Sequence, residues 1–417
     1  MKKAMDQTRR TMSISAPKIE MQDGRAVLGA EITREGMPSF LCQLIYPAEY
    51  LEYLCDERAD AFLVSILPYA MQHGFDIQCE APVSEKLLHQ IKSYYIPVLA
   101  QAQQNFSFIT VEAQPDSRNL NTGKAVGTGL SCGVDSFYSA LRYLQPDVEP
   151  DYRLTHVVSM NVGSFGYQGG DFSRKWFREE LIKARRVAQK LGLPLIEIDS
   201  NLMEFYQQNH ATSGTFRMVG AILGLQKLFA VYYISAGFSL KLFDISSESN
   251  ADYDLFNLMS ASNESTMFYS SGVEATRFQR TRFISDFPVT YSELTVCLKG
   301  NTNCGRCEKC LRTIGALYVL DKLDDYQGSF DVEYFYKHKH RMLVKIRSNG
   351  IGRYMNEMYS EIYQKLRGDM PVYYFLLTVE AYLFQHPWDK VVHFAKQIAK
   401  KVLSPEQVAA LKEKIRK

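Results

Sequence analysis

From Lys124 onward, the apolar and polar positions of the chain switch repeatedly between two periods. Short apolar runs rich in β-branched residues predict strands over Lys124–Leu130, Leu154–Asn161, Pro194–Ile198 and Val231–Ala236. Between them lie stretches of helical period, Ser136–Leu144 and the long amphipathic Phe172–Leu191, which Gly192 closes as a C-cap. Strands alternating with helices in this order predict an α/β fold built on a doubly wound parallel sheet. Ligands of such sheets bind beyond the carboxyl ends of the strands, which singles out the loop after the first strand.

Upstream, the segments Arg25–Ile32, Phe40–Tyr46, Asp60–Gln72, Phe75–Cys79, Ser84–Gln104 and Phe106–Val111 alternate in the same way. They predict an N-terminal α/β domain over 1–119, joined by the polar linker Gln114–Gly123 to a second domain over 124–328. A C-terminal helical region, 329–417, is expected from helical runs at Tyr354–Leu366, Val372–Phe384, Lys390–Leu403 and Pro405–Ile415. In it Tyr359, Tyr363, Tyr373 and Phe375 read as helix core. The run Met218–Leu240 is long enough to cross a bilayer, but Ile222, Leu225 and Phe229 fit one helix face and Val231–Ser235 has strand character. It reads as buried core, and no membrane partner is expected.

With 417 residues and 46% hydrophobic content, the chain can bury the cores of two or three domains. Its start is basic with no apolar stretch behind it, so a secretory signal is not expected and the expected location is cytoplasmic. The net charge of +2 hides an asymmetry: Asp331–Lys417 carries 16 Lys and Arg against 9 Asp and Glu. A solvated helical face is the ordinary meaning of such an excess, an acidic partner or nucleic acid the other. His73 and His89 stand apart from other ligand types and read as ordinary surface or core histidines.

The loop after the first strand is Ser131-Cys132-Gly133-Val134-Asp135-Ser136. Small residues let backbone N–H groups converge on an anion, the two hydroxyls add donors, and the following helix points its positive end at the same place. It reads as a phosphate cradle, with Asp135 suited to Mg²⁺ or to helix capping. The alternative is a plain serine-rich strand-to-helix turn. Further on, Cys297, Cys304, Cys307 and Cys310 fall within 14 residues, with Gly300 and Gly305 available for tight turns. Four soft thiolates favour tetrahedral Zn²⁺ in a closed, structural site. An iron–sulfur cluster or a disulfide-bonded, metal-free state are the alternatives. Cys42, Cys55, Cys79 and Cys132 are scattered and read as buried thiols.

Ser131–Ser136 resembles the SGGxDS loop of the PP-loop ATP pyrophosphatases, whose fold is that of the adenine nucleotide alpha hydrolases; Cys132 stands where that family usually has glycine. The knuckle Cys304-Gly305-Arg306-Cys307-Glu308-Lys309-Cys310-Leu311-Arg312 looks like the signature of 7-cyano-7-deazaguanine synthases. Both motifs in this order, over about Lys124–Leu320, imply a QueC-like member of that superfamily, possessing ATP, Mg²⁺ and Zn²⁺ as cofactors. The resemblance implies an ATP-dependent ligase that activates a carboxylated deazapurine, such as 7-carboxy-7-deazaguanine, as an acyl-adenylate. Ammonia then displaces AMP to give an amide, which a second ATP dehydrates to a nitrile.

Residue by residue, the resemblance implies that Ser131, Cys132, Gly133, Val134, Asp135 and Ser136 hold the ATP phosphates and Mg²⁺. Asn161, at the end of the second strand, and Glu180, opening an E-x-x-x-A-x-x-x-A helix with Ala184 and Ala188, become site candidates, against a generic helix with small sheet-facing residues. Arg217 becomes a candidate for stabilising phosphate charge, against a surface arginine at a helix start. The Tyr-Pro-Asp-Cys-Arg segment of the synthases is absent, and Ser249–Leu255 stands in the corresponding region. Thr276-Arg277 and Arg280 lie near the place of the relatives' Thr/Ser-Lys pair. The added terminal regions also resemble those of synthase-like components of antiviral defence operons, which implies a protein acceptor or operon partner as an alternative to ammonia. A nucleotide- or nucleic-acid-binding module without catalysis, with the basic C-terminal region as its contact surface, is the remaining alternative.

Overall fold

The computed structural model describes residues 10–166, 168–207, 210–297, 300, 302–351, 353–385, 387 and 390–391. The chain forms two compact units, Met1–Thr295 and Val296–Lys417.

Strands of the first unit are β1 (Arg10–Ile14), β2 (Lys18–Gln22), β3 (Arg25–Arg34), β4 (Phe40–Pro47), β5 (Phe75–Cys79), β6 (Val83–Ser84) and β7 (Val111–Glu112). They are followed by β8 (Pro115–Asp116), β9 (Ala125–Gly129), β10 (His156–Met160), β11 (Leu195–Ser200), β12 (Phe229–Ser235) and β13 (Met267–Ser271). The last five are parallel and ordered β11-β10-β9-β12-β13. Strand order therefore runs outward from β9 in one direction, then returns to β12 and runs outward in the other. This is the doubly wound arrangement expected from the alternating periods, and its topological switch point lies between β9 and β12.

The helices between these strands follow from the same patterning. Gly170–Leu191 buries Phe177, Leu181, Ala184, Val187 and Ala188 against β10 and β11, and its C-cap Gly192 takes φ +68°. The run Met218–Leu240 divides into the buried helix Gly214–Leu223 and strand β12. Among the described residues no helix is long and apolar enough to cross a membrane.

Apart from the two-stranded sheet β6-β8, the strands of 1–119 and 124–328 belong to one sheet. Asp199 and Ser200 of β11 pair antiparallel with Ile45 and Leu44 of β4, so one 11-stranded sheet runs on through β4-β3-β1-β5-β7, with β2 on β3. The helix Asp60–His73 is apolar nearly all round and is buried over Asp60–Met71, packing on Gly214–Leu223. β1, β2 and β13 go beyond the expected strands, and the expected strand Phe106–Val111 is reduced to β7. Ser84–Gln104 is interrupted by a π-helical turn at Ile91–Tyr95.

The second unit is helical, with Glu308–Val319, Val332–Lys337, Lys339–Asn349, Arg353–Asp369 and Pro371–Glu380. Tyr359 and Tyr363 are buried in it, and Tyr359 donates to Glu308 Oε1 at 3.0 Å. Phe375, by contrast, is 64% exposed and Tyr373 only half-buried, so these two are not core. The expected helices Lys390–Leu403 and Pro405–Ile415 lie outside the described residues except for Lys390 and Val391.

Candidate functional site

β9 ends at Gly129, and the chain turns through Ser131–Gly133 into the helix Val134–Arg142, whose N-cap is Gly133. The loop closes on one oxygen. Ser136 Oγ accepts from the N–H groups of Ser131 and Gly133, each at 3.2 Å, lies 3.2 Å from Ser131 Oγ, and donates to the Gly133 carbonyl at 3.2 Å. Converging N–H donors at a helix start, beyond the carboxyl end of the strand at the switch point, form an arrangement suited to phosphate oxygens.

Cys132 is the strained residue of this loop. Its φ of +56° lies in the left-handed region, where glycine is at ease and a residue with a Cβ is not. The side chain is buried, and burial pushes the thiol up to about 12, so it remains protonated and is no nucleophile near neutral pH. Its carbonyl accepts from Thr295 N–H at 2.8 Å, and Thr295 Oγ1 accepts from Lys183 Nζ. Lys183 thus joins the edge of the loop, a cation the sequence reading passed over although it lies one helical turn beyond Glu180.

Asp135 is the second residue of its helix rather than a cap. Its Oδ1 is 2.6 Å from Arg280 Nη1, and Arg277 Nη1 pairs with Oδ2. Arg280 is 1% exposed and donates also to the Ala236 carbonyl at the end of β12. These two arginines come from the helix Arg277–Ile284, which Thr276 starts by accepting from Gln279 N–H at 3.1 Å while Gln279 Oε1 takes Thr276 N–H at 2.8 Å. The Ser131–Ser136 loop is therefore flanked by three cations, with Asp135 held by two of them.

In the second unit, the sulfurs of Cys297, Cys304, Cys307 and Cys310 all lie within 4.8 Å of one another. A tetrahedral Zn²⁺ with Zn–S bonds near 2.3 Å sets its sulfurs about 3.8 Å apart, so the donor set and spacing fit that ion. Gly305, at φ +65°, makes the turn that lets Cys307 N–H donate to Cys304 Sγ at 3.3 Å. Crowding couples the thiols: the hydrogen bond between Cys307 and Cys310 holds Cys307 below the ordinary thiol range and lifts Cys310 above it. Asn303 ties the knuckle down, accepting from Val296 N–H at 2.8 Å and donating to the Ser329 carbonyl at 2.9 Å. Four thiolates would fill the coordination positions of a tetrahedral ion.

No family model, curated protein or solved structure matches the chain.

The remaining candidates divide by position. Asn161 is buried at the end of β10 and fully engaged: its Nδ2 donates to Asp199 at 2.8 Å, its Oδ1 accepts from Ser173 at 2.9 Å, and its carbonyl accepts from Ser200 at 2.6 Å. It orders the loop after β10. Arg217 is not a surface residue. It is fully buried, with its guanidinium over the Tyr206 ring at 4.8 Å and against Met203 Sδ, and burial lowers it to about 10. A Cβ at Gly163 (φ +124°) would meet Arg217 Nη1 at 2.7 Å, so glycine there lets the loop after β10 lie directly on this cation.

Glu180 is half-buried, which raises its carboxyl, and the nearby Lys183 cation offsets part of that rise. Asp254, in the segment Ser249–Leu255, is structural: it is buried, accepts from Thr215 Oγ1 at 2.6 Å and Asn257 Nδ2 at 3.2 Å, and burial raises it to about 6.

Proposed function

We propose that the protein is an ATP-dependent, adenylate-forming enzyme of the 7-cyano-7-deazaguanine synthase type, acting on a carboxylated deazapurine. The observation that carries this reading is the Ser131–Ser136 loop at the switch point, with Ser131 and Gly133 N–H groups converging. In this reading the triphosphate takes the place that Ser136 Oγ fills, and Arg277, Arg280 and Lys183 supply positive charge around it.

Chemically, a carboxylate oxygen is a poor leaving group. Attack of the substrate carboxylate on the α-phosphorus expels pyrophosphate and gives the acyl-adenylate. Ammonia then adds to the acyl carbon and AMP leaves, yielding the amide, and a second ATP removes its oxygen to give the nitrile. The chain's contribution is to hold the reactants in line and neutralise developing phosphate charge. Asp135 would hold Mg²⁺, which would supply positive charge against the phosphates, and it would do so by giving up part of its contact with Arg277 and Arg280. The four cysteines would bind Zn²⁺ as a structural clamp on the helix Glu308–Val319.

The test is release of AMP and pyrophosphate from Mg-ATP, with and without 7-carboxy-7-deazaguanine, with product masses read in the same samples. Substrate-dependent AMP accompanied by amide or nitrile mass supports the reading. Absence of AMP under all conditions overturns it. A second reading keeps the adenylate and replaces ammonia by a protein amine. The exposed apolar side chains Val372, Phe375 and Leu376 on one helix of the second unit favour it, since such a patch suits a protein partner.

A further inference from the structure

The helix Gly170–Leu191 does more than cover the sheet. Its 22 residues span about 33 Å, whereas β10 and β11, with five and six residues, reach roughly 16–20 Å. Because the helix begins after the carboxyl end of β10 and runs back to β11, its first half extends past the strand ends, on the side where the phosphate loop lies. At 3.6 residues per turn, Phe172, Trp176, Glu180 and Lys183 fall within a stripe about 80° wide. Lys183 bonds Thr295, whose N–H bonds the Cys132 carbonyl, so the lower end of the stripe is tied to the phosphate loop.

The upper end is aromatic. Phe165, from the loop after β10, stands edge-on to Trp176 with centroids 6.0 Å apart and packs against buried Phe177 at 5.2 Å. Phe172 lies 6.1 Å from Trp176 and is itself 71% exposed. Nothing in the packing of the sheet requires Phe172 and Trp176 there; the sheet-facing positions are Phe177, Leu181 and Ala184. Between the aromatic end and the cation sits Glu180, whose carboxylate is a pure acceptor when ionised.

We propose that Phe172, Trp176 and Glu180 form the seat of the acceptor substrate's ring, a planar heterocycle with adjacent lactam and amino N–H donors. Because the two rings are inclined at 70°, its face stacks on one and meets the other edge-on, its N–H edge meets Glu180, and its carboxylate points along the stripe toward Lys183 and the phosphate loop. Trp176 and Lys183 are seven residues, about 10 Å, apart along the helix, which a bicyclic ring with its carboxylate and an α-phosphate can span. Adenine is the poorer occupant, because its pairing edge offers one amino donor beside an acceptor, and a second acceptor from Glu180 would oppose it. The inference rests on the proposed adenylate-forming reading and names its substrate subsite.

The chain has two tryptophans, Trp176 and Trp388. In the full-length Trp388→Phe variant, Trp176 is the single indole reporter. Its fluorescence should change saturably with 7-carboxy-7-deazaguanine and not with the α,β-methylene analogue of ATP. In turnover, Phe172→Ala and Trp176→Ala should raise KM for 7-carboxy-7-deazaguanine roughly 10- to 100-fold, the loss expected for one stacked ring, with KM for ATP little changed. Glu180→Gln should raise the same KM and leave the ATP term alone.

A Trp176 signal with the ATP analogue alone would assign the shelf to adenine and overturn the inference. So would unchanged KM in both aromatic variants of an enzyme that releases AMP, and there the adenylate chemistry would stand while the subsite fell. A saturable deazapurine signal at Trp176 without AMP release would do the reverse, keeping the subsite and removing the reaction.

Discussion

Arg280 Nη1 stands 2.6 Å from Asp135 Oδ1, joining the start of the helix Val134–Arg142 to the helix Arg277–Ile284. Arg280 is 1% exposed and Asp135 is 25% exposed, so the pair holds a desolvated cation through a carboxylate that still meets solvent. Removing the carboxylate strands the cation. Asp135→Asn is expected to cost about 3 kcal/mol, the lower end for breaking a buried pair, and to abolish AMP release. Urea unfolding and AMP assay check this together. The triple variant Asp135→Leu with Arg277→Met and Arg280→Met, which removes both cations along with the carboxylate, should recover most of the stability and none of the activity, whereas recovery of both would make the cluster purely structural.

Cys132 sits at φ +56° with a buried side chain. Glycine relieves the left-handed strain but loses the thiol's packing, two effects of about 1 kcal/mol each and opposite sign. Cys132→Gly should therefore shift stability by less than about 1 kcal/mol and retain AMP release. Cys132→Val keeps the strain and adds β-branching, and should be destabilised by roughly 2 kcal/mol or more. Thermal unfolding of the two variants side by side separates backbone conformation from side-chain chemistry.

The knuckle should bind a single zinc. Cys307→Ser or treatment with a strong chelator is expected to remove it and to lower the melting temperature of the second unit, because binding and folding are coupled at such sites. Elemental analysis of the purified protein is the direct check. Iron with a visible charge-transfer band would replace zinc by a cluster.

Asp254 gives a pH dependence with a definite sign. Burial raises its carboxyl from 3.8 to about 6, so the folded state binds the proton more tightly than the unfolded chain. Stability is then highest below pH 4 as far as this group is concerned and falls as pH rises from 4 to 6, by on the order of 2–3 kcal/mol. Asp254→Asn keeps an acceptor for Thr215 and should flatten that part of the profile. Urea unfolding at pH 4.5 and 7.0 on both proteins measures the difference.

Much of the candidate site was legible because its chemistry is local. A hexapeptide between a strand and a helix, and four cysteines within 14 residues, carry their own geometry in their spacing. The helix Phe172–Leu191 and its Gly192 cap were equally plain, since amphipathic period and a left-handed terminal residue are both sequence signals. Glu180 was singled out for its place in a helix repeat, yet Trp176 and Lys183 on the same helix face were not, because aromatic and basic residues on a helix face are also what a solvated surface looks like. Tyr373 and Phe375 went the other way: helical period placed them with Tyr359 and Tyr363, and period alone does not say which face a neighbouring helix covers.

By itself, then, the sequence determined the alternation of strands and helices, the loop after β9, and the thiol cluster, all set by interactions within a few residues. The tertiary structure decided what lies far apart along the chain. It merged 1–119 and 124–295 through the pairing of β4 with β11, brought Arg277 and Arg280 onto Asp135 from 142 and 145 positions away, and set Lys183 against Thr295 across 112. The physical reason is that periodicity and turn chemistry act through the adjacent backbone. Sheet edges and buried charges are satisfied by whichever partner the assembled fold delivers, and that choice is a property of the whole core.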